Sequence, residues 1–377
     1  MIRILQCVNI MDRAGLETML MNYYRNIDRT QIQFDFLTHR PNKGAYDDEI
    51  ESLGGKVYHA PRLYPQNYPT YFKWMTYFFN EHPEYKIVHS HIDSMSFFPL
   101  YAAKNAGIPV RIAHSHTSKL DKDLKLPIKF LTLKLIPYVA NYYCACGELA
   151  GKFMFGKRDF KIIKNAIDVE KYRFDKEIRK RKQDELGLNG KFIIGHVGRY
   201  CYIKNQLFLL EIFAEVKREK ENAHLLLIGK GEDEIKIREK VHILNLDGSV
   251  SFLIDRDDVD QLYQVMDIFV MPSLFEGLPV VGVEAQANGL PCIISDKISR
   301  EIVLSECVRM LRLEDGIDKW KESILSTKTE RNMNSVNQLE NKGYNVRVEA
   351  NRLAAYYILL MKGASRDGTI DDNYTNI

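Results

Sequence analysis

Cysteines in CxxC spacing, membrane-length apolar runs and a strong excess of one charge are all missing from this chain. Its six cysteines (Cys7, Cys144, Cys146, Cys201, Cys292 and Cys307) are scattered over 377 residues with no CxxC spacing. That points to a reducing cytoplasm. No uninterrupted apolar stretch reaches the roughly 20 residues that cross a bilayer. The opening Met1-Ile2-Arg3-Ile4-Leu5 reads as a strand and not as a secretory leader, so a cytoplasmic protein is expected. The formal net charge is only +3, and no recognisable nucleic-acid module accompanies the basic residues, so nucleic acid is not expected as a partner. A dinucleotide fingerprint is absent as well: in Leu226-Leu227-Ile228-Gly229-Lys230-Gly231-Glu232 the third glycine position falls on Glu234, which disfavours a redox cofactor.

What is present is an ordinary globular composition, 45% hydrophobic and 27% charged, in a chain whose length favours two domains over one. Charge is uneven. Residues up to 165 carry about +7 and the remainder about −4, which suggests that the first half meets an anionic surface or substrate. Short apolar runs (Ile2–Ile10, Gln33–Thr38, Val57–His59, Ile87–His91, Val110–His114, Tyr142–Ala145, Lys161–Lys164) alternate with longer helical patterns, the rhythm of a parallel sheet wrapped by helices. A second series begins at Phe192–Val197 and continues through His224–Ile228, Val250–Leu253, Ile268–Met271 and Cys292–Ser295. The expectation is α/β, with two doubly wound domains at 1–170 and 191–344 joined by a charged linker at 171–190. An amphipathic helix follows at 345–362 and a polar, disordered tail at 363–377.

The most informative stretch is Met271-Pro272-Ser273-Leu274-Phe275-Glu276-Gly277-Leu278-Pro279-Val280-Val281-Gly282-Val283-Glu284-Ala285, an apolar strand that breaks into a turn and restarts as a helix. Pro279 fits the first helical position, where its missing N–H costs nothing. Glu276 then lies just before the helix and Glu284 more than one turn inside it. The N–H groups of Gly277, Leu278 and the first turn form a positive pole suited to phosphate. Carboxylates flanking such a pole suit neutral hydroxyls, a sugar on one side and a ribose on the other. Ile193-Ile194-Gly195-His196-Val197-Gly198-Arg199, followed by Lys204-Asn205, is another strand ending in a glycine turn. There Gly198 permits close approach and Arg199 and Lys204 offer two cations to a diphosphate.

Taken together, these segments resemble the E-x7-E motif with its PS-x-x-EG-x-P lead-in, the GR…KN pattern and the L-x-G-x-G-x segment of family 4 of the retaining glycosyltransferases. The resemblance spans nearly the whole chain and is more specific in the second half. It implies the GT-B fold, two Rossmann-like domains facing across a cleft, with the last helix crossing back to the first domain. It also implies retaining transfer of a sugar from a nucleotide diphosphate sugar, UDP-hexose first among candidates, to a saccharide or lipid-linked acceptor in cell-surface polysaccharide synthesis, with no metal and no other cofactor. Glu284 would bind the ribose, Glu276 the sugar hydroxyls, and Arg199 and Lys204 the diphosphate. Met11-Asp12-Arg13-Ala14-Gly15-Leu16-Glu17 resembles the family's glycine-rich loop, with Ala14 in place of its first glycine, and supplies Gly15; Gly229 comes from the second glycine-rich turn. By its place before Thr117, His116 matches the histidine that contacts the transferred sugar. Asn165-Ala166-Ile167-Asp168 and Phe252-Leu253-Ile254-Asp255-Arg256 resemble the family's NG-[IV]-D and FLG-x-x segments, with Ala166 and Ile254 at glycine positions.

The pairs His89-Ser90-His91 and His114-Ser115-His116 could be read as four metal ligands, but parallel strands buried on both faces are expected to end at different heights, which disfavours a metal. Between Lys119 and Pro137, five lysines (Lys119, Lys122, Lys125, Lys129, Lys134) alternate with apolar residues. That pattern fits either a solvated domain helix or peripheral docking on the anionic inner face of the plasma membrane. Rival functions are a non-hydrolysing UDP-sugar epimerase, which shares the architecture, and a non-catalytic sugar-nucleotide sensor.

Overall fold

The computed structural model describes residues 1–120 and 125–364. The chain divides into two compact units, one formed by Met1–Ala166 together with the chain from Val346, the other by Ile167–Asn345.

In the first unit β1 (Ile2–Val8), β2 (Ile32–Thr38), β3 (Val57–His59), β4 (Ile87–Ser90), β5 (Val110–Ser115), β6 (Tyr142–Ala145) and β7 (Lys161–Ile162) form one sheet in the order β3-β2-β1-β4-β5-β6-β7. Every pairing is parallel. Such a sheet is covered on both faces, and β2 is buried along its whole length even where it carries Asp35. That carboxylate is held by the Arg3 guanidinium at 2.5–2.6 Å and by the Tyr85 hydroxyl at 2.8 Å, so it is buried but fully paired.

The second unit repeats the plan with β8 (Phe192–Val197), β9 (Ala223–Ile228), β10 (Val250–Leu253), β11 (Ile268–Met271), β12 (Cys292–Ser295) and β13 (Val308–Leu311), ordered β10-β9-β8-β11-β12-β13. β13 was not expected. It is an edge strand whose residues are only partly buried, with Arg309 exposed in its middle, so it lacks the apolar run that marks a central strand. Strand order reverses between β1 and β4 and again between β8 and β11. Ligands bind outside the carboxyl ends of parallel strands at such switch points.

The stretch expected as a linker is instead part of the second unit. It forms helices Val169–Tyr172 and Lys176–Leu186, the latter capped by Asp175, whose side chain accepts from the N–H groups of Glu177 and Ile178. Several of its charges are paired against the second unit, while others such as Lys176 and Lys180 are exposed. Arg179 reaches Asp267 at 2.6 Å, and the buried Lys182 sits between Asp258 (2.6 Å) and Glu185 (2.7 Å). The last helix, Val346–Ala364, packs on the first unit, with Leu353, Tyr357 and Leu360 in one cluster with Ile4 and Phe34. It takes in Gly363 and Ala364; the rest of the expected tail lies outside the described residues.

Candidate functional site

At the carboxyl end of β11 the chain turns through Ser273 and Glu276 into the helix Val280–Ala287. Pro279 caps this helix and does not begin it: its ψ of 124° is extended, and its carbonyl accepts from the Gly282 N–H at 3.0 Å. The loop is pinned where the Ser299 N–H donates to the Glu276 carbonyl at 3.2 Å. One carboxylate oxygen of Glu276 accepts from Lys204 Nζ at 2.6 Å and from the Ser273 hydroxyl at 2.8 Å. Its other oxygen makes no hydrogen bond among the described residues.

Lys204 arrives there through Asn205. This residue adopts the left-handed conformation (φ 57°), which asparagine tolerates better than most, and its side chain donates to the Pro272 carbonyl at 3.1 Å. The Lys-Asn pair is therefore a positioning device as well as a charge. Two expected site residues, Lys204 and Glu276, are brought into direct contact, and Ser273 and Asn205 were missed.

Glu284 lies apart from that contact in terms of partners. It is buried, and its two oxygens accept from the Tyr172 and Tyr263 hydroxyls, each at 2.9 Å. Burial raises its carboxyl above the ordinary range, while both tyrosine hydrogen bonds oppose the shift. Its partners are neutral hydroxyls, the chemistry a ribose would offer.

Arg199 is exposed and paired with Glu232 at 2.9 Å, so among the described residues it does not join Lys204. The glycines beside it serve packing. Gly229 has φ 138°, and a Cβ there would stand 2.2 Å from the Gly198 carbonyl oxygen; at Gly198 itself a Cβ would meet the Lys204 stem at 3.2 Å. The turns that follow β8 and β9 nest backbone against backbone. In the first unit Gly15 begins the helix Gly15–Asn26, and Ala14 before it is extended (φ −124°), so no glycine is needed there. Glu17, in the first turn, is buried and pushed up to about 7 chiefly by desolvation.

The four histidines gather at the carboxyl ends of β4 and β5. Contrary to the expectation of different heights, the register pairs His89 with Ile112 and Ser90 with Ala113, which brings His91 level with His114. His89 Nε2 lies 3.1 Å from His114 Nδ1, and His91 Nδ1 lies 3.0 Å from His116 Nε2. Gln6 of β1 and Tyr357 of the last helix complete the group, with His91 Nε2 2.8 Å from Gln6 Oε1 and His89 Nδ1 2.7 Å from the Tyr357 hydroxyl. Burial pulls all four rings down, His116 to about 3 and the others well below the ordinary range, so they are neutral. His89, His91 and His114 could each turn a ligand atom within 4.8 Å of the others, close enough for a metal. Their short N···N approaches are equally those of imidazole hydrogen bonds.

A sequence profile of the family described as "Glycosyl transferases group 1" matches residues 191–327. The chain is 39% identical over 332 residues to a putative glycosyltransferase, EpsF, of Bacillus subtilis (strain 168), covering 85% of this chain and 86% of that protein. It is 26% identical over 293 residues, 73% of this chain and 76% of the other, to an Escherichia coli UDP-Gal:alpha-D-GlcNAc-diphosphoundecaprenol alpha-1,3-galactosyltransferase. Among solved structures it resembles Anabaena HepE in complex with UDP, with a TM-score of 0.76 at 17% identity over 95% of this chain and 100% of that one. HepE has also been solved with UDP-glucose, and that structure superposes with a TM-score of 0.72 at 17% identity over 97% of this chain and 98% of the other.

Proposed function

This chain belongs to the group 1 glycosyl transferases and has their GT-B fold, and on that premise we propose that it moves a hexosyl unit from a UDP-sugar to a saccharide or lipid-linked acceptor with retention of anomeric configuration, as a family 4 enzyme of surface-polysaccharide assembly. The observation that carries this reading is the contact of Lys204 with Glu276 at the mouth of the helix Val280–Ala287, beside the β8–β11 switch point. A lysine held at 2.6 Å by a carboxylate is placed in advance of its substrate. It supplies positive charge where a diphosphate leaves, and a preorganised charge stabilises the transition state without reorganising. Glu276 keeps one oxygen for a sugar hydroxyl, and Glu284 accepts ribose hydroxyls in the manner it now accepts those of Tyr172 and Tyr263. His116 is assigned to the transferred sugar. The named substrates of the Escherichia coli relative and the UDP-glucose bound to HepE support a UDP-hexose donor.

Metal independence belongs to the same reading, because Lys204 and the helix pole already provide cationic charge. Activity that survives chelator supports it; activity lost in chelator and restored by magnesium or manganese contradicts it. No helix among the described residues is long and apolar enough to cross a membrane. Attachment to the cytoplasmic leaflet is proposed through the helix Leu126–Leu135 and the turn after it, where Phe130, Leu131 and Tyr138 are exposed beside lysines; Lys122 of the expected segment lies outside the described residues.

The test is incubation with a panel of nucleotide sugars and membrane lipid extract, with products identified by mass. An acceptor enlarged by one hexose supports transfer. Interconversion of sugars without acceptor would indicate an epimerase, and binding without turnover a sensor.

A further inference from the structure

Gln6 is fully buried in β1 opposite His89 of β4, and it hydrogen-bonds His91 of one histidine branch directly and the other branch through Tyr357. A neutral imidazole has one N–H and one lone pair, so each hydrogen bond it makes dictates the next. The Gln6 carbonyl oxygen accepts from His91 Nε2 at 2.8 Å, which puts the His91 proton on Nε2 and leaves Nδ1 as an acceptor. His116 must then donate through Nε2 across 3.0 Å. On the other side the Gln6 amide nitrogen donates to the Tyr357 hydroxyl at 3.3 Å, and that hydroxyl passes its own proton toward His89 Nδ1 at 2.7 Å. His89 therefore carries its proton on Nε2 and gives it to His114 Nδ1 at 3.1 Å. All four rings come out as the same tautomer.

We propose that Gln6 is a positioning residue whose single amide orders both branches, so that His116 is held as the Nε2–H tautomer and offers Nδ1 to a ligand as a hydrogen-bond acceptor. The assignment carries a cost at the end of the other branch. His114 Nε2, the end of the other branch, is buried with no partner among the described residues, and an unsatisfied buried N–H is costly. The consequence for chemistry rests on the transferase reading of His116. A fixed, neutral imidazole accepts a hydrogen bond from a sugar hydroxyl, which keeps its own proton, and so adds no positive charge beside an anomeric carbon that is itself becoming positive. A histidine free to protonate would oppose that charge.

The experiment is two-bond 15N–1H correlation NMR of the histidine-labelled full chain near neutral pH, without ligands, which reads each ring's tautomer directly. The wild type should show His89, His91, His114 and His116 as Nε2–H. In Gln6→Leu, His91 and His116 should become tautomer mixtures. Tyr357→Phe should disturb His89 and His114 and leave His91 and His116 as they are. In transfer assays Gln6→Leu should lower kcat about tenfold with the donor KM changed less than twofold. A wild-type His116 found as Nδ1–H or as imidazolium overturns the proposal, as does a His116 signal unmoved by Gln6→Leu. Should that variant fail to fold, the wild-type tautomers and the branch selectivity of Tyr357→Phe decide the matter. The spectra need no donor or acceptor, so a failed transferase reading would appear in the assay and leave the tautomer result standing.

Discussion

Lys204 and Glu276 are each mostly buried, so removing one strands the other's charge in a poorly solvated place. Lys204→Ala should lower kcat by about 10²-fold, since one preorganised group facing the leaving charge is worth roughly 3 kcal/mol. A raised KM with unchanged kcat would mean that the lysine binds substrate and transition state equally. A double-mutant cycle with Glu276→Ala should be strongly non-additive, because Glu276 is the lysine's anchor. These two residues were legible in the sequence because each lies in a short motif whose turn chemistry is local. The partners of Glu284 and of the histidine group were not. Tyr172 reaches Glu284 from 112 positions away, and Tyr357 reaches Gln6 from 351, separations that only the completed topology closes. Nor does a lone Gln in a strand or a Tyr on an amphipathic helix carry any mark of such a role before the partner is known.

At the scale of elements, the alternating strands were readable wherever a buried run was bounded by turn residues, and β13 was missed because an edge strand half in solvent has no such run. The charged helix Lys176–Leu186 misled in the opposite sense, since composition cannot tell a solvated linker from a helix whose charges find partners. The nested turns after β8 and β9 give a sharper test. Gly229→Ala combines a disallowed φ of 138° with a Cβ 2.2 Å from the Gly198 carbonyl, whereas Gly248→Ala has φ 79° and nothing within 4 Å. Gly229→Ala should therefore cost about 3 kcal/mol or more and Gly248→Ala about 1 kcal/mol in denaturant unfolding; equal costs would deny the nest. For the Leu126–Leu135 helix, vesicle flotation should show binding that rises with anionic lipid and weakens when Lys129 and Lys134 are replaced, each basic residue being worth about 1 kcal/mol near such a surface. Indifference to lipid charge would remove membrane attachment from the reading.

For the whole molecule, pH should act through its buried imidazoles. Burial holds His39 and His196 at about 4 and His116 at about 3, with His89, His91 and His114 also well below 6.5. Above about 6.5 these rings are neutral whether the chain is folded or not. Between 6.5 and those lowered values the unfolded chain takes up protons that the folded one refuses, so stability falls as pH falls, by up to about 1.4 kcal/mol per pH unit for each ring. Glu17, raised to about 7, works the other way, because the folded state takes its proton first as pH drops. It is outnumbered. Scanning calorimetry should find Tm dropping steeply from pH 6.5 toward 5, and a flat profile would mean that the rings are already charged in the native state. The central claim, though, is the reaction itself: a sugar leaving one diphosphate and reaching an acceptor on the same face. The measurement that tests it most directly is proton NMR of the purified product made from an α-linked UDP-hexose. An α linkage in the product is the predicted result, and a β linkage would contradict both the mechanism and the assignment to a retaining family.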